Sequence, residues 1–251
     1  MGRDQPEQQA PPVQRLRIRY AKRGRLRFTS HRDFSRAFER ALFRARVPMA
    51  YSSGFNPHPR ISYAGASPTG AASEAEYLEI GLSEVVEPGE VLRDLDESLP
   101  AGLDLLEVVP SAGGSLADRL EASVWQITVT GTDVESLAEA AARLLATAEV
   151  PVERMTKKGL RQFDARAAIV SLVARAPGSS TAESEPCAIL EVVLRHGTPS
   201  VRPDDVLAAL HQASGLRVTA VLQQRLAQGP LDEKNGTVGD PLAPDRDAAG
   251  Q

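Results

Sequence analysis

Arg15-Leu-Arg-Ile-Arg-Tyr20 alternates basic and apolar residues strictly, a pattern typical of a strand with one buried face. A different period follows in Ser30-His-Arg-Asp-Phe-Ser-Arg-Ala-Phe-Glu-Arg-Ala-Leu-Phe-Arg-Ala45. There the apolar residues recur on one face at helical spacing, Ser30 is a candidate N-cap, and Pro48 stops the pattern. The sequence therefore predicts a strand followed by an amphipathic helix.

The following segments extend this pattern to a whole domain. We predict strands near Arg60–Ala64 and at Glu76–Leu82, a helix at Pro88–Ser98, and a strand at Leu103–Val109. This order, strand–helix–strand–strand–helix–strand, is that of a ferredoxin-like domain. The second half repeats the order with one strand too many. The predicted fold class is α+β, with two tandem ferredoxin-like (βαββαβ) domains whose antiparallel sheets carry helices on one face.

Composition predicts where these domains end. Residues 1–12 and 227–251 are rich in Gly, Pro and polar residues, so we expect both ends to be disordered. Ser111–Ser115 is predicted to be the joint between the domains, and Pro177–Pro186 a long, mobile hairpin loop. The predicted domains are residues 13–112, with the basic helix, and residues 118–226.

Charge is distributed very unevenly along the chain. Between Arg15 and Arg60 there are twelve arginines and one lysine against two acids, although the whole chain has a formal net charge of −4. The planar guanidinium group suits bidentate recognition of phosphate. This segment therefore predicts a surface for a polyanion, with RNA as the leading candidate.

Within the basic segment, Arg32, Arg36, Arg40 and Arg44 recur every four residues and form one ridge about 18 Å long on the predicted helix. Like charges at this spacing repel. Three interpretations stay open: the ridge contacts nucleic acid, it contacts an acidic protein, or acids of the second predicted helix neutralise it, namely Glu90, Asp94, Asp96 and Glu97. The residues that we expect to contact phosphate are Arg17, Arg19, Arg25, Arg32, Arg36, Arg40, Arg44, Arg60, Lys157 and Lys158.

The segment Tyr51-Ser-Ser-Gly-Phe-Asn-Pro-His-Pro-Arg60 predicts a rigid loop. Each proline fixes its own φ angle and pushes the preceding residue towards extended geometry, so His58 loses backbone freedom before any partner binds. One interpretation is a loop whose Phe55 fills the core. The other is a substrate pocket made by Tyr51, Ser53, Gly54, Phe55, Asn56, Pro57 and Pro59.

Other features exclude several classes of protein. Cys187 is the only cysteine, so the chain can form neither an internal disulfide nor a metal site or cluster that needs several cysteines. No apolar run approaches the length of a membrane span, and Met1–Ala10 is too polar for a signal peptide. We expect a cytoplasmic protein with no metal, no membrane association and no disulfide-linked partner.

Several motifs resemble those of one known family. They are Phe28-Thr-Ser-His-Arg-Asp-Phe-Ser-Arg36, Tyr51-Ser-Ser-Gly-Phe-Asn-Pro-His-Pro-Arg-Ile-Ser62 and Glu74-Ala-Glu-Tyr77, which resemble the radical SAM-associated domain family. Members of that family occur alone or fused to a cobalamin-type radical SAM protein. The resemblance implies an accessory to radical chemistry. Because this chain lacks a CxxxCxxC motif, the iron–sulfur cluster, S-adenosylmethionine and any cobalamin would be on a partner protein.

A more distant similarity is to CRISPR-type endoribonucleases built from two ferredoxin-like domains. It implies metal-independent RNA cleavage with a histidine as general acid or base, for which His31 and His58 are the candidates. The glycine-rich loop near the C-terminus of such enzymes is missing here. We therefore expect a non-catalytic RNA-binding accessory protein of a radical SAM enzyme. The endoribonuclease and an adaptor for an acidic protein are the alternatives.

Overall fold

The computed structural model describes residues 8–156, 159–177 and 187–250. In these residues the chain is a mixed α/β protein with antiparallel sheets and five α-helices. It divides into two compact units, one made of Met1–Arg119 with Pro241–Gln251, and the other of Leu120–Asp240. We call these unit 1 and unit 2. None of the helices in the described residues is long and apolar enough to cross a membrane.

The first six elements belong to unit 1 and follow the predicted order. They are β1 (Gln14–Lys22), α1 (His31–Arg44), β2 (Ile61–Ala64), β3 (Ala72–Leu82), α2 (Pro88–Ser98) and β4 (Leu105–Pro110). Strand β1 pairs antiparallel with β3 and β4, and β2 pairs antiparallel with β3. The sheet order of unit 1 is therefore β4-β1-β3-β2.

Local sequence explains why α1 begins where it does. The hydroxyl of Ser30 accepts a hydrogen bond from the Asp33 backbone N–H at 3.2 Å and donates one to the Asp33 carboxylate at 2.7 Å. This confirms the predicted N-cap, which satisfies one of the unpaired N–H groups at the helix start. Helix α2 begins with a proline, as expected for a residue that needs no N–H partner there.

The core of unit 1 lies between one face of the sheet and both helices. In β1 and β3, Leu16 lies opposite Ile80 and Ile18 lies opposite Leu78, and all four are buried. The buried residues of α1 pack into the same core together with those of α2. Because side chains alternate along a strand, the odd-numbered arginines of β1 lie on the opposite face of the sheet.

Unit 2 has a similar sheet with an added hairpin. Its elements are β5 (Ala122–Thr130), α3 (Val134–Ala146), β6 (Pro151–Thr156), β7 (Gly159–Asp164), β8 (Ile169–Arg175), β9 (Cys187–Arg195), α4 (Pro203–Ser214), β10 (Thr219–Gly229), β11 (Leu231–Asp232) and β12 (Thr237–Val238). The sheet order is β10-β5-β9-β8, whereas β6 and β7 form a separate two-stranded sheet. This hairpin accounts for the surplus strand in the prediction. Most of the expected loop Pro177–Pro186 lies outside the described residues.

The C-terminal segment differs from the disordered tail that we expected for residues 227–251. Strand β10 continues to Gly229, β11 and β12 pair, and a last helix, α5 (Ala243–Ala249), belongs to unit 1. Leu242 and Asp245 are buried. A buried ion pair can hold a short polar segment in an ordered structure. Amino-acid composition does not reveal such an ion pair.

The anchor is the carboxylate of Asp245. It accepts two hydrogen bonds from Arg17 Nη1, at 2.8 and 2.9 Å, and one from Arg119 Nη1 at 2.7 Å. The Ala112 backbone N–H donates another at 2.8 Å. Arg17 also donates to the carbonyls of Gly113 and Gly114. The expected joint Ser111–Ser115 is therefore bonded within unit 1, and the boundary between the units follows Arg119.

These contacts determine how Asp245 titrates. Burial by itself would raise the pKa of Asp245, but the hydrogen bonds from Ala112, Arg17 and Arg119 lower it below its ordinary value. A depressed pKa in the folded state means that the carboxylate stabilises the fold above the unfolded-state pKa. That contribution is lost as the pH falls through the folded-state pKa.

We predict that Asp245→Asn lowers the free energy of unfolding by about 3 kcal/mol near neutral pH, because it leaves a buried arginine short of one counter-charge. Urea unfolding measures this loss, with the exposed Asp247→Asn of the same helix as the matched control. Below about pH 4 the difference between wild type and Asp245→Asn should shrink. Equal stability of the two variants near neutral pH would contradict the anchor role.

Candidate nucleic-acid interface

Helix α1 presents a basic face to solvent. Its buried residues are Phe34, Phe38, Ala41 and Leu42. The residues on the other side include Arg32, Arg36, Arg40 and Arg44, all exposed, which we call the α1 ridge. The predicted spacing therefore produces one row of guanidinium groups on the outside of unit 1.

Most of this ridge is not neutralised within the described residues. Arg32, Arg36 and Arg40 make no ion pair or hydrogen bond there, and Arg44 donates only to the Ser98 backbone carbonyl. Two of the four acids of α2 have other partners: Asp94 pairs with Arg93 at 2.8 Å, and Asp96 accepts from the Leu105 backbone N–H at 2.7 Å. Glu90 and Glu97 make no ion pair with a ridge arginine in the described residues. The acids of α2 therefore do not form ion pairs with the α1 ridge in the described residues, which disfavours the interpretation that they neutralise it.

An aromatic ring lies among the ridge arginines. Phe43 is 85% exposed and, with Arg36, Glu39, Arg40 and Arg44, it lines a shallow depression of about 480 Å³. At 3.6 residues per turn, Phe43 projects between Arg32 and Arg36 around the helix axis. It thus lies on the ridge and away from the buried face.

The end of α1 holds a second arginine feature. The Val47 N–H bonds to the Leu42 carbonyl at 3.1 Å, and the Arg46 N–H bonds to the Phe43 carbonyl at 3.2 Å. These are the two hydrogen bonds that define a Schellman motif. The motif places Arg46 in the left-handed position that is usually held by glycine. Its φ is +54°, and Arg46 is the one non-glycine residue with positive φ in the described part of the chain. Arg46 is exposed, so packing does not explain an arginine there.

The arginines of β1 and of the following turn are different, because most of them have carboxylate or carbonyl partners. Arg15 bonds to Glu79 at 2.9 Å, and Arg19 donates to the Glu74 backbone carbonyl at 2.9 Å. Arg23 pairs with both Glu74 and Asp104. Each of these side chains reaches a partner within unit 1.

Arg17 requires a correction to the predicted phosphate-contacting set. Its side chain is fully buried and bonds to Glu79 at 3.0 Å as well as to Asp245. A guanidinium in this position cannot reach a phosphate from solvent. Burial alone would raise the pKa of Glu79, but hydrogen bonds from Arg15, Arg17 and Ser111 lower it, so Glu79 stays charged beside Arg17.

A short 3₁₀ turn at Gly24–Phe28 adds a second basic and aromatic surface. Arg25 is exposed and makes no ion pair with the described residues. The Arg27 guanidinium lies over the ring of Phe28, 4.5 Å from its centroid, and Phe28 is 58% exposed. The turn thus displays a cation and a ring that are already stacked on each other.

The loop between α1 and β2 is closed by its own backbone. The Ser52 N–H donates to the His58 carbonyl at 2.9 Å, and the His58 N–H donates to the Ser52 hydroxyl at 3.0 Å. Arg60 donates to the Tyr51 carbonyl at 3.1 Å, which holds its guanidinium at the base of the loop. These hydrogen bonds close the segment into a hairpin-like loop, and its rigidity stays a prediction.

The predicted pocket residues lie on the outside of this loop. Exposed side chains are those of Tyr51, Ser53, Phe55, Asn56, Pro57 and His58, together with Gly54 at a φ of +120°. Phe55 is 64% exposed, so the interpretation in which it fills the core is wrong. Pro59 is partly buried at the closed end. The loop offers an exposed projection with one aromatic ring near its tip.

The two candidate catalytic histidines have different surroundings. The ring of His31, in the first turn of α1, packs perpendicular to the ring of Tyr63, with centroids 4.8 Å apart. His58 makes its hydrogen bonds through its backbone. No hydrogen bond joins the two imidazoles among the described residues, and no three His, Cys, Asp or Glu side chains there group as metal ligands. Lys157 and Lys158 lie outside the described residues.

Comparison with known families gives one match that covers most of the chain. A family model described as "Uncharacterized protein conserved in bacteria (DUF2344)" matches residues 15–203. The chain belongs to this family. The matched span includes the whole α1 ridge and the loop after it, and it ends before α5. No curated protein matches the chain at a significant level.

Sequence reasoning missed three contributors to this surface and its support. Phe43 was visible as the one aromatic residue of α1 that falls outside its apolar face. Arg46 follows the helix where glycine is usual, which is also a readable signal. The sequence contains no local signal for the role of Asp245, because its partner Arg17 is 228 residues away.

We predict that Arg46→Gly raises the free energy of unfolding by about 1 kcal/mol, because glycine adopts positive φ without a steric penalty. Arg46→Ala is the matched control, since it removes the same charge but keeps the Cβ atom. Chemical denaturation should show a higher midpoint for the glycine variant alone. If both variants shifted equally, charge repulsion would be the cause and the backbone argument would fail.

Proposed function

We propose that this protein binds RNA through the α1 ridge of unit 1 and acts as a non-catalytic accessory of a radical SAM enzyme. The main support for RNA binding is that some arginines of unit 1 are paired with carboxylates whereas others are not. Arg15, Arg17 and Arg23 have carboxylate partners, whereas Arg32, Arg36 and Arg40 have none among the described residues. These three uncompensated arginines are aligned in a row on one helix face.

Energetics favour an external partner for that row. Arginines at i and i+4 repel each other by a few tenths of a kcal/mol per pair, so the ridge lowers the stability of the free helix slightly. A polyanion that neutralises the row removes this repulsion and releases its own counterions. Arginine also forms bidentate contacts with phosphate oxygens, which lysine does not. Ridge composition and ridge exposure both fit a phosphate backbone.

The proposal that the chain acts with a radical SAM enzyme has a different basis. It comes from the motifs around Arg32 and His58 that resemble the radical SAM-associated family. On this proposal the partner carries the iron–sulfur cluster and S-adenosylmethionine, and the chain works in the cytoplasm. We further propose that both units are ferredoxin-like, since the observed sheet orders β4-β1-β3-β2 and β10-β5-β9-β8 are those of that topology.

For the RNA part, we predict that affinity for RNA falls steeply with salt. If four arginines each neutralise a phosphate, the slope of log K against log salt is about −3, or about 50-fold between 50 and 200 mM. Arg36→Glu/Arg40→Glu should weaken binding by more than about 100-fold, since two charged hydrogen bonds are lost. Fluorescence anisotropy with labelled RNA measures both effects.

The matched control reverses two exposed arginines of unit 2, Arg143→Glu/Arg217→Glu, and should leave the affinity for RNA unchanged. Circular dichroism melts should show that both double variants fold. Undiminished binding by the α1 variant would rule out the ridge. A wild-type protein that captures an acidic protein, with no salt-dependent RNA binding, would favour the adaptor alternative. Cleavage of RNA by the metal-free protein that His58→Ala abolishes would favour the endoribonuclease.

For the partner part, we predict that crosslinking in cells, followed by capture of this chain, recovers a polypeptide that carries a CxxxCxxC motif. The recovered complex should show the visible absorbance of an iron–sulfur cluster, which this chain with its single cysteine does not supply. Recovery of RNA without any such polypeptide would reject the partner part and leave the RNA part intact.

A further inference from the structure

The most exposed large apolar side chain in the described residues is Phe43, at 85%. It is placed on a helix whose other phenylalanines, Phe34 and Phe38, are buried. Around the helix axis it falls within the row of ridge arginines. Phe43 lies in the last turn of α1, beside Arg40 and Arg44, and buries little of its surface in the monomer, so its ring is available to a ligand.

We propose that the ligand of the α1 ridge is single-stranded RNA, with one base stacked on Phe43 and its flanking phosphates held by Arg36, Arg40 and Arg44. This inference rests on the proposed RNA-binding function and narrows its substrate class. The depression lined by these residues and Glu39 places the ring and the guanidinium groups around one shallow opening. A ring beside cations matches a nucleotide, which has an aromatic base beside an anionic phosphate.

The aromatic ring distinguishes single strands from duplexes. In a duplex every base is already stacked and only groove edges and phosphates are accessible, whereas an unpaired base can be splayed out onto an aromatic side chain. Arginine rows alone would fit either form, because both present phosphates. Phe43 adds a contact that only the unpaired form can use.

Other exposed rings in unit 1 fit the same chemistry. Phe28 is 58% exposed beneath Arg27, Phe55 is 64% exposed, and Tyr51 is 44% exposed. In the described residues, none of the exposed large apolar side chains outside the segment from Phe28 to Phe55 has an aromatic ring. The exposed rings thus occur in the same segment of the chain as the α1 ridge.

The test compares three ligands of equal length and sequence: a single-stranded RNA, the same strand annealed to its complement, and the same strand without bases at its central positions. Fluorescence anisotropy gives the affinity of wild type, Phe43→Leu, Phe43→Trp and Arg36→Glu/Arg40→Glu for each ligand. Leucine keeps an apolar side chain but has no ring, so it isolates stacking. Tryptophan restores a ring and serves as the rescue.

We predict that Phe43→Leu weakens binding of the intact single strand by about 5- to 150-fold, the effect of losing one stacked base. Phe43→Trp should restore it. The slope of affinity against salt should be the same for wild type and Phe43→Leu, because no phosphate contact is lost. Binding of the duplex and of the base-free strand should not respond to either change at Phe43.

The outcomes separate this inference from the function on which it rests. Equal affinity of wild type and Phe43→Leu for the single strand, with loss of binding in Arg36→Glu/Arg40→Glu, would overturn the stacking site and keep the RNA-binding proposal. The stacking site would also be overturned if wild type bound the base-free strand as tightly as the intact one. Failure of wild type to bind any of the three ligands would overturn both.

Discussion

Burial of one face of helix α1 is the constraint on which the rest of unit 1 depends. Phe34, Phe38, Ala41 and Leu42 pack against the sheet, and the helical period then fixes which side chains remain outside. No rotation of the helix could hide the arginines without exposing the phenylalanines of the core. The basic ridge is thus a consequence of the same periodicity that builds the core, and its charge has to be accommodated on the surface.

Some arginines of the chain are paired with carboxylates and others are not, and burial explains this difference. A guanidinium taken out of water needs a counter-charge, because an unpaired buried charge is strongly unfavourable. Arg17 therefore has Glu79 and Asp245, even though Asp245 has to come from the C-terminal helix. On the surface, water solvates an arginine without any partner. Exposure thus permits four arginines on the outer face of α1, although repulsion between neighbours in the row slightly disfavours them.

The features that could be predicted from the sequence depend on residues that are close together in the chain. The order of strands and helices in unit 1, the N-cap of α1 and the exposed row of arginines all follow from residues a few positions apart. What it did not reveal depended on distant partners or on side-chain exposure in loops. Arg17 alternates with apolar residues like any solvent-facing strand residue, and only Asp245 takes it out of solvent. Phe55 lies between small and polar residues, and nothing in that pattern says whether its ring points inward.

The helix dipole acts differently on the arginines at the two ends of α1. Arg44 and Arg46 lie at the C-terminal end of α1, where the helix dipole favours a positive charge. Arg32 lies in the first turn, where the dipole disfavours it by a similar amount. Arg46 also retains a left-handed backbone that glycine would adopt more easily. Stability therefore explains one end of the row but neither Arg32 nor the backbone of Arg46. The proposed contact of the α1 ridge, about 18 Å long, with one extended anion would offset the cost at Arg32.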